Sequence, residues 1–318
     1  MIPGGRSSIL SYTLALLVSV GLGGCAPIYY VGMPLVYDRA DAGSAAVERD
    51  VSYVRGVEDP KRTVDLFLPR GSGWPLMIFV HGGGWNHGDK GLRVGGKDVY
   101  RNIGRYYAGK GIGVAVINYR LLPGVHWKTQ LNDVADAVSY SWQRAVDAGA
   151  DPKRLFLSGH SAGAQLATRV ALDGSLLSTR GVAPANVCGV VAVSGGGYDM
   201  EDAETYALGA QFSYLQDRFG MVDTGDSWSH DASVVQFIDA NSPPFLILYG
   251  EREPRSLQRQ SQLLADVLTG AGVPNNVRVQ PKHTHPRMVL AMTTEGRVTS
   301  TAIEDFVLHE QCGQTTGQ

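Results

Sequence analysis

The chain has 318 residues, of which 44% are hydrophobic and 18% are charged, and its formal net charge is −2. This apolar fraction is too high and this net charge too small for a disordered chain, and the lack of a basic excess argues against a nucleic-acid-binding protein. The three cysteines are too few for a disulfide scaffold or a multi-cysteine zinc module.

The first residues are typical of an export signal. An apolar stretch runs from Ile9 to Gly23, which is shorter than the roughly 20 residues of a membrane-spanning helix and suits the core of a signal peptide. Leu22-Gly23-Gly24-Cys25 resembles a bacterial lipobox. The resemblance implies that residues 1–24 are a signal peptide, that Cys25 is lipidated and, because Ala26 follows, that the anchor lies in the outer membrane of the cell envelope. An ordinary secretory signal that contains a cysteine is the alternative.

After a predicted tether over residues 25–50, apolar runs alternate with amphipathic helical patterns up to about residue 311. The predicted strands are Thr63–Leu68, Leu76–Val80, Gly113–Asn118, Leu155–Ser158, Val187–Ser194 and Phe245–Tyr249. Helical patterns cover Leu131–Val146, Ser256–Gly270 and Met288–His309. Near-continuous apolar runs are expected of parallel strands that are covered on both faces. The sequence therefore predicts an α/β fold, a doubly wound, mostly parallel sheet with helices on both faces, in one domain over residues 51–311.

One segment, residues 198–244, interrupts this alternation. It is rich in acidic and aromatic residues and lies between two predicted strands. We interpret it as a small cap or lid insertion, with a plain long crossover as the alternative. Residues 312–318 are a predicted C-terminal tail.

Two glycine-rich motifs follow predicted strands. His81-Gly82-Gly83-Gly84-Trp85 exposes successive backbone amides, which suits an oxyanion hole. Gly159-His160-Ser161-Ala162-Gly163 matches G-x-S-x-G, a pattern that becomes informative because a strand runs into it and a helix runs out of it. Such a turn needs its glycines and leaves Ser161 exposed at a helix N-terminus. A flexible turn is the alternative for the first motif when it is taken alone.

A serine nucleophile needs a base, and the base needs an orienting carboxylate. In this type of fold the chain order is serine, acid, histidine. The strand ending at Tyr249 is followed by Glu251 and Glu253, and both are candidates for the acid. Asp199, after the preceding strand, is an outside candidate.

Four histidines follow Ser161 in the chain: His230, His283, His285 and His309. His309 falls in the terminal helical pattern and His230 falls in the insertion. His283 and His285 follow a short predicted strand, so both are candidates for the base. The His-x-His spacing also occurs in metal sites, but no other cluster of ligand-type residues in the sequence supports a metal.

The remaining cysteines are Cys188 and Cys312. Export would place them in an oxidising compartment, where they could pair. Because Cys188 opens a predicted buried strand, the interpretation that we favour from the sequence is a buried free thiol.

These motifs make the chain similar to the α/β-hydrolase superfamily, in the HGGGW branch that includes microbial carboxylesterases, feruloyl-esterase-like proteins and kynurenine formamidases. The resemblance extends over roughly Asp65 to Phe306. Further markers are Gly88-Asp89-Lys90, Asn118-Tyr119-Arg120-Leu121 and Pro243-Pro244. The resemblance implies the α/β-hydrolase fold, a small ester substrate, and no metal or cofactor.

Carried over motif by motif, the resemblance assigns five further positions. The acid falls on Glu253, the histidine on His285, and the oxyanion-hole amides on Gly83, Gly84 and Ala162. Two positions depart from the family pattern. Glu253 stands where an aspartate is usual, and Pro286 replaces the usual aromatic residue, so His283 remains an alternative base.

The resemblance implies a serine carboxylesterase in which Ser161 attacks the ester carbonyl. An amidase of the kynurenine formamidase type is the alternative with the same machinery, although predicted export argues against its cytosolic substrate. The alternative from another class is a catalytically silent envelope lipoprotein that uses the fold for binding.

Overall fold

An eight-stranded sheet forms the centre of the protein. The computed structural model describes residues 37–208, 219 and 227–312, and these belong to one compact unit of the chain. The predicted signal peptide, the lipidation site Cys25 and the last six residues lie outside the described residues, as does the middle of the predicted cap. No helix in the described ranges is long and apolar enough to cross a membrane.

The strands follow the predicted alternation closely. They are β1 (Ala46–Ser52), β2 (Thr63–Leu68), β3 (Trp74–Val80), β4 (Arg93–Val94), β5 (Lys97–Asp98), β6 (Gly113–Ile117), β7 (Ala150–His160), β8 (Val187–Val193), β9 (Phe245–Gly250) and β10 (Asn275–Gln280). The main sheet has the order β1-β2-β6-β3-β7-β8-β9-β10, and β4 and β5 form a separate two-stranded ribbon. β1 and β2 are antiparallel to their neighbours. The strands β6, β3, β7, β8, β9 and β10, in their order in the sheet, are parallel. The predicted mostly parallel sheet is confirmed.

Helices connect the parallel strands. They are α1 (Tyr100–Gly109), α2 (Trp127–Asp147), α3 (Ala162–Leu172), α4 (Gly174–Ser178), α5 (Ala203–Ala207), α6 (Trp228–Ala232), α7 (Arg255–Gly270), α8 (His285–Ala291) and α9 (Val298–His309). The ends of the predicted strands 245–249 and 155–158 lead into α7 and α3, as crossover connections of parallel strands require.

Both faces of the sheet are covered. One face of the central strands packs with α2, α3 and α7 in a single apolar core. On the opposite face, Phe79 contacts Tyr100 of α1 at 5.5 Å between ring centroids, and Phe156 contacts Phe306 of α9 at 5.8 Å. Because successive residues of a strand point to opposite faces, a strand buried on both sides must be apolar throughout, and all residues of β3, β6, β8 and β9 are buried.

The structure differs from the sequence prediction at three elements. No strand was predicted before Thr63, but β1 starts at Ala46 and pairs with β2. Helix α1 lies where no helix was predicted. The single helix predicted over Met288–His309 is wrong: two helices, α8 and α9, are separated by a turn in which Gly296 has φ +64°, a conformation that a right-handed helix excludes.

The preference for a free thiol at Cys188 is also wrong. Cys188 in β8 forms a disulfide with Cys312, which follows α9. Helix α9 crosses the start of β8 so closely that a Cβ at Gly189 would lie 2.7 Å from the ring of Phe306. This packing brings the two cysteines together across 124 residues of sequence.

Candidate active site

Ser161 occupies a sharp turn between β7 and α3. Its φ is +58° and its ψ −126°, a conformation that residues with a side chain adopt rarely and usually at functional sites. A Cβ at Gly159 would lie 2.3 Å from the carbonyl oxygen of Gly163, and a Cβ at Gly163 would lie 2.2 Å from that of Val80. Both glycines of the motif are therefore required by close backbone packing, and the serine is presented at the carboxyl edge of the sheet.

The glycine loop after β3 lies directly against this turn. A Cβ at Gly82 would approach the carbonyl oxygen of His160 to 2.9 Å and the Cβ of Ser161 to 3.2 Å. Gly83 and Gly84 have φ of +133° and +57°, so the loop needs residues without a side chain. Ala162 is the first residue of α3, where the amide has no acceptor within the helix.

Glu253 and His285 form a hydrogen-bonded pair. The Nδ1 of His285 lies 3.2 Å from the Oε2 of Glu253. The glutamate side chain is fully buried, and the histidine side chain is 25% exposed. Both residues lie just beyond parallel strands, Glu253 after β9 and His285 after β10 at the start of α8, where Pro286 in the first turn suits the helix.

His160 places this pair beside the serine. Its ring centroid is 4.6 Å from that of His285, and its Nε2 lies 3.2 Å from the main-chain carbonyl oxygen of His285. A carbonyl only accepts, so Nε2 of His160 donates the hydrogen bond. Burial, followed by the neighbouring His285, holds the pKa of His160 well below its ordinary value, so the ring is neutral. The three residues Ser161, Glu253 and His285 thus converge at one edge of the sheet.

The other candidates have different contacts. The Oε2 of Glu251 accepts the amide of Lys282 at 2.7 Å, so this carboxylate joins the loop after β9 to the loop after β10. The Oδ1 of Asp199 accepts the amide of Glu201 at 2.8 Å.

Among the histidine candidates, the Nδ1 of His283 contacts the carbonyl oxygen of Pro281 at 2.8 Å. His230 is exposed and lies 3.4 Å from Glu201, and His309 is exposed at the end of α9. Only His285 is bonded to a candidate acid within the range that the structure describes.

Trp85, at the end of the glycine loop, is held by contacts with two other parts of the chain. It is 3% exposed and has φ +63°, its Nε1 donates to the Oε1 of Gln165 at 3.0 Å, and its ring meets Phe219 edge-on at 5.2 Å. Gln165 in turn donates to the carbonyl of Ala232 in α6. These contacts connect the loop to α3 and to the described parts of the insertion.

A buried charged cluster holds the far end of the same loop. The Nζ of Lys90, whose side chain is 1% exposed, donates to the Oδ1 of Asp65 at 2.6 Å and also to Asp50. Arg101 donates to the other oxygen of Asp65 at 2.5 Å. The residues after Gly88 are thereby fixed to β1, β2 and α1.

Residue types that bind metals are not clustered in the described part of the chain. In the parts of the chain that the structure describes, no three or more His, Cys, Asp or Glu side chains are grouped so as to hold an ion.

The comparison with known proteins places this site in a family. The BD-FAE family model matches residues 64–268, more than half of the chain. The chain belongs to the BD-FAE family. The matched range contains the glycine loop, the serine turn and Glu253, and it ends before His285.

Relatives of this BD-FAE chain include named esterases. Esterase LipQ of Mycobacterium tuberculosis is 28% identical over 273 residues, which are 83% of this chain and 62% of LipQ. A probable isoprenylcysteine alpha-carbonyl methylesterase of Oryza sativa is 32% identical over 164 residues, 50% of this chain and 37% of that protein. The alignments thus span less than two thirds of these relatives' own length.

Solved structures confirm the fold of the BD-FAE chain. Esterase B from Lactobacillus rhamnosis superposes with a TM-score of 0.67 at 23% identity, covering 85% of this chain and 88% of that one. A truncated carbohydrate esterase from gut microbiota gives 0.66 at 19% identity, covering 86% and 96%. The predicted α/β-hydrolase fold is confirmed.

Three features of the BD-FAE site were not predicted from the sequence. They are the contact of Ser194 with Glu253, the contact of His160 with His285, and the cluster around Lys90. The Gly88-Asp89-Lys90 marker drew attention to the last of these, but neither Ser194 nor the role of His160 has a sequence signal of its own.

Proposed function

We propose that this BD-FAE chain is a serine hydrolase that cleaves carboxylic esters through an acyl-enzyme on Ser161. The observation that carries the proposal is the 3.2 Å contact between Glu253 and His285 beside the serine turn. A nucleophile, a base and an orienting carboxylate in this chain order are the elements of a catalytic triad. The relatives named as esterases support an ester as the substrate.

In the first half of the proposed reaction, the Oγ of Ser161 forms a bond to the ester carbonyl carbon while the Nε2 of His285 takes the serine proton. Glu253 accepts the hydrogen bond of Nδ1 and stabilises the imidazolium. The carbon–oxygen bond to the alcohol then breaks, and His285 returns the proton to the departing alkoxide. In the second half, His285 takes a proton from water, whose oxygen forms a bond to the acyl carbon. The bond between that carbon and the Oγ of Ser161 then breaks, and His285 returns the proton to Oγ, which releases the acid and restores Ser161.

The negative charge on the carbonyl oxygen requires donors that are already in place. We assign this role to the amides of Gly83, Gly84 and Ala162. The close approach of the glycine loop to Ser161 and the position of Ala162 at a helix N-terminus support the assignment.

The proposal is tested with purified protein, p-nitrophenyl acetate and a fluorophosphonate probe. The wild-type chain is expected to hydrolyse the ester and to be labelled once, on Ser161. Ser161→Ala is expected to lose labelling and to lower kcat by at least about a thousandfold. Ser300→Ala, which removes a buried hydroxyl in α9, is the matched control and should keep full activity. An active, labelled Ser161→Ala protein would refute the proposal.

We further propose that Cys25 anchors the protein to the outer membrane through attached lipid chains. The lipobox resemblance at residues 22–25 supports this location. Labelled palmitate should be incorporated by the full-length chain and not by Cys25→Ser, and the Cys25→Ser protein should partition into the soluble fraction. Equal incorporation by the two chains would contradict the anchor.

A further inference from the structure

Ser194 is the first residue after β8 and has an unusual backbone. It is fully buried and has φ +52°, in the left-handed region that favours glycine. The next residue, Gly195, is a glycine, but the residue with the positive φ is the serine. A non-glycine residue held in this region costs stability, and such residues cluster at functional sites. The serine side chain at this position therefore indicates a functional role.

The hydroxyl of Ser194 is bonded to the candidate acid. Its Oγ donates to the Oε1 of Glu253 at 2.5 Å, and the amide of Gly250 donates to the same oxygen at 2.9 Å. The other oxygen, Oε2, is the one that contacts His285. The two oxygens of the carboxylate thus have separate tasks, because one is held by β8 and β9 and the other faces the histidine.

The main chain at Ser194 joins the strands that carry the site. The amide of Ser194 donates to the carbonyl of Leu248 in β9 at 2.7 Å. The preceding residue, Val193, accepts the amide of Ser161 at 3.0 Å. The end of β8 is therefore bonded on one side to the turn of the nucleophile and on the other to the strand that leads to Glu253.

We propose that Ser194 is a positioning residue that fixes the Glu253 carboxylate in the orientation in which it can orient His285. The proposal rests on the serine-hydrolase function proposed above. A glutamate has one more rotatable bond than an aspartate, so its carboxylate has more orientations to be excluded. The hydroxyl of Ser194 and the amide of Gly250 remove this freedom by binding Oε1 from two directions.

The first test compares Ser194→Ala with Ser194→Gly. Both variants lack the hydroxyl, but only glycine relieves the positive φ. Both should lower kcat on p-nitrophenyl acetate by about tenfold to a hundredfold, as expected for the loss of a hydrogen bond to a charged group, with KM changed less than about twofold. The Ser194→Gly protein should nevertheless melt at a higher temperature than Ser194→Ala. Ser300→Ala again serves as the buried-hydroxyl control.

The second test is a double-mutant cycle with Glu253→Ala. If Ser194 acts through the glutamate, Ser194→Ala should cause less than about a twofold further loss of kcat once Glu253 has been removed. A structural role of Ser194 would instead lower kcat by the same factor in both backgrounds. Circular dichroism of each variant checks that it folds.

The outcomes separate this proposal from the proposed function. An active wild-type chain that needs Ser161 but whose kcat is unchanged by Ser194→Ala and Ser194→Gly would overturn the positioning role alone. The same conclusion would follow if activity tracked melting temperature across the two variants, or if the effects of Ser194→Ala and Glu253→Ala multiplied. A wild-type chain with neither ester hydrolysis nor probe labelling would overturn both proposals.

Discussion

The imidazole of His160 donates a hydrogen bond of 3.2 Å to the main-chain carbonyl of His285. The residue that precedes the candidate nucleophile thus holds the backbone of the candidate base. The donor is a neutral ring, because burial and the adjacent His285 keep the pKa of His160 well below its ordinary value. Burial likewise lowers the pKa of His81, at the start of the glycine loop, to about 4. Two neutral, buried histidines therefore support the site.

This arrangement predicts a loss of stability in mild acid. The unfolded chain protonates both histidines below about pH 6.5, whereas the folded chain does not, so the free energy of unfolding falls as the pH drops from about 6.5 towards 4. The shift of His81 to about 4 corresponds to about 3 kcal/mol across this window. Burial raises the pKa of Asp89, but hydrogen bonds from Lys61 and Gly91 outweigh it and hold the pKa at about 2. The stability that this carboxylate contributes is therefore lost only when the pH falls below the pKa that Asp89 has in the unfolded chain.

Urea unfolding between about pH 7.5 and about pH 5 measures the effect. His160→Gln keeps a donor for the carbonyl of His285 but does not titrate, so its unfolding free energy should depend less on pH, by about 1 kcal/mol per pH unit. His87→Gln, at an exposed position, is the control and should follow the wild-type curve. A wild-type free energy that stays constant over this range would contradict the prediction.

The second prediction separates the candidate acids and bases. Glu253→Gln and His285→Ala should each lower kcat/KM on p-nitrophenyl acetate by about a thousandfold, because the base loses its orienting carboxylate or is itself removed. Glu251→Gln and His283→Ala are matched controls two residues away, and both should stay within about threefold of wild type. A large loss with His283→Ala and none with His285→Ala would reverse the assignment.

The parallel strands were predictable because a strand that is covered on both faces must be apolar throughout. All six residues of β9 are buried, and its apolar run stands out from its surroundings. Helix α1 was not predictable in the same way. It includes the buried polar residues Asn102 and Arg105, which are bonded to Thr293 and Asp98, so apolar residues alone do not mark its buried face. Thr293 lies 191 residues away from Asn102 in the chain, so no local pattern reveals that contact.

At the site, the sequence was informative where the backbone packs too closely for a side chain. Gly159 and Gly163 cannot carry a side chain in this turn, so the motif records the geometry directly. Ser194 has no such sequence signal, because its bond to Glu253 arises only when β8 and β9 pair. The same reason explains Cys188, whose disulfide depends on how α9 crosses the sheet.

The third prediction concerns this disulfide. Its two cysteines are separated by 124 residues, so the bond constrains a large part of the unfolded chain. Cys188→Ala combined with Cys312→Ala should lower the free energy of unfolding by about 2–5 kcal/mol. Dithiothreitol should lower the melting temperature of the wild-type protein and leave that of the double variant unchanged. A wild-type melting temperature that does not respond to the reductant would contradict the pairing.

The fourth prediction compares two lysines that hold the end of the glycine loop. Lys90 is 1% exposed and is bonded to Asp65, which is fully buried, whereas the pair of Lys61 and Asp89 is 31% and 46% exposed. Lys90→Met leaves Asp65 with Arg101 as its remaining cationic partner in the described structure, and breaking a buried pair in this way should cost about 3 kcal/mol in urea unfolding. Lys61→Met, the matched control, removes a pair that water already screens, so it should cost no more than about 1 kcal/mol. Equal losses in the two variants would show that the buried cluster does not stabilise the fold more than a surface ion pair does.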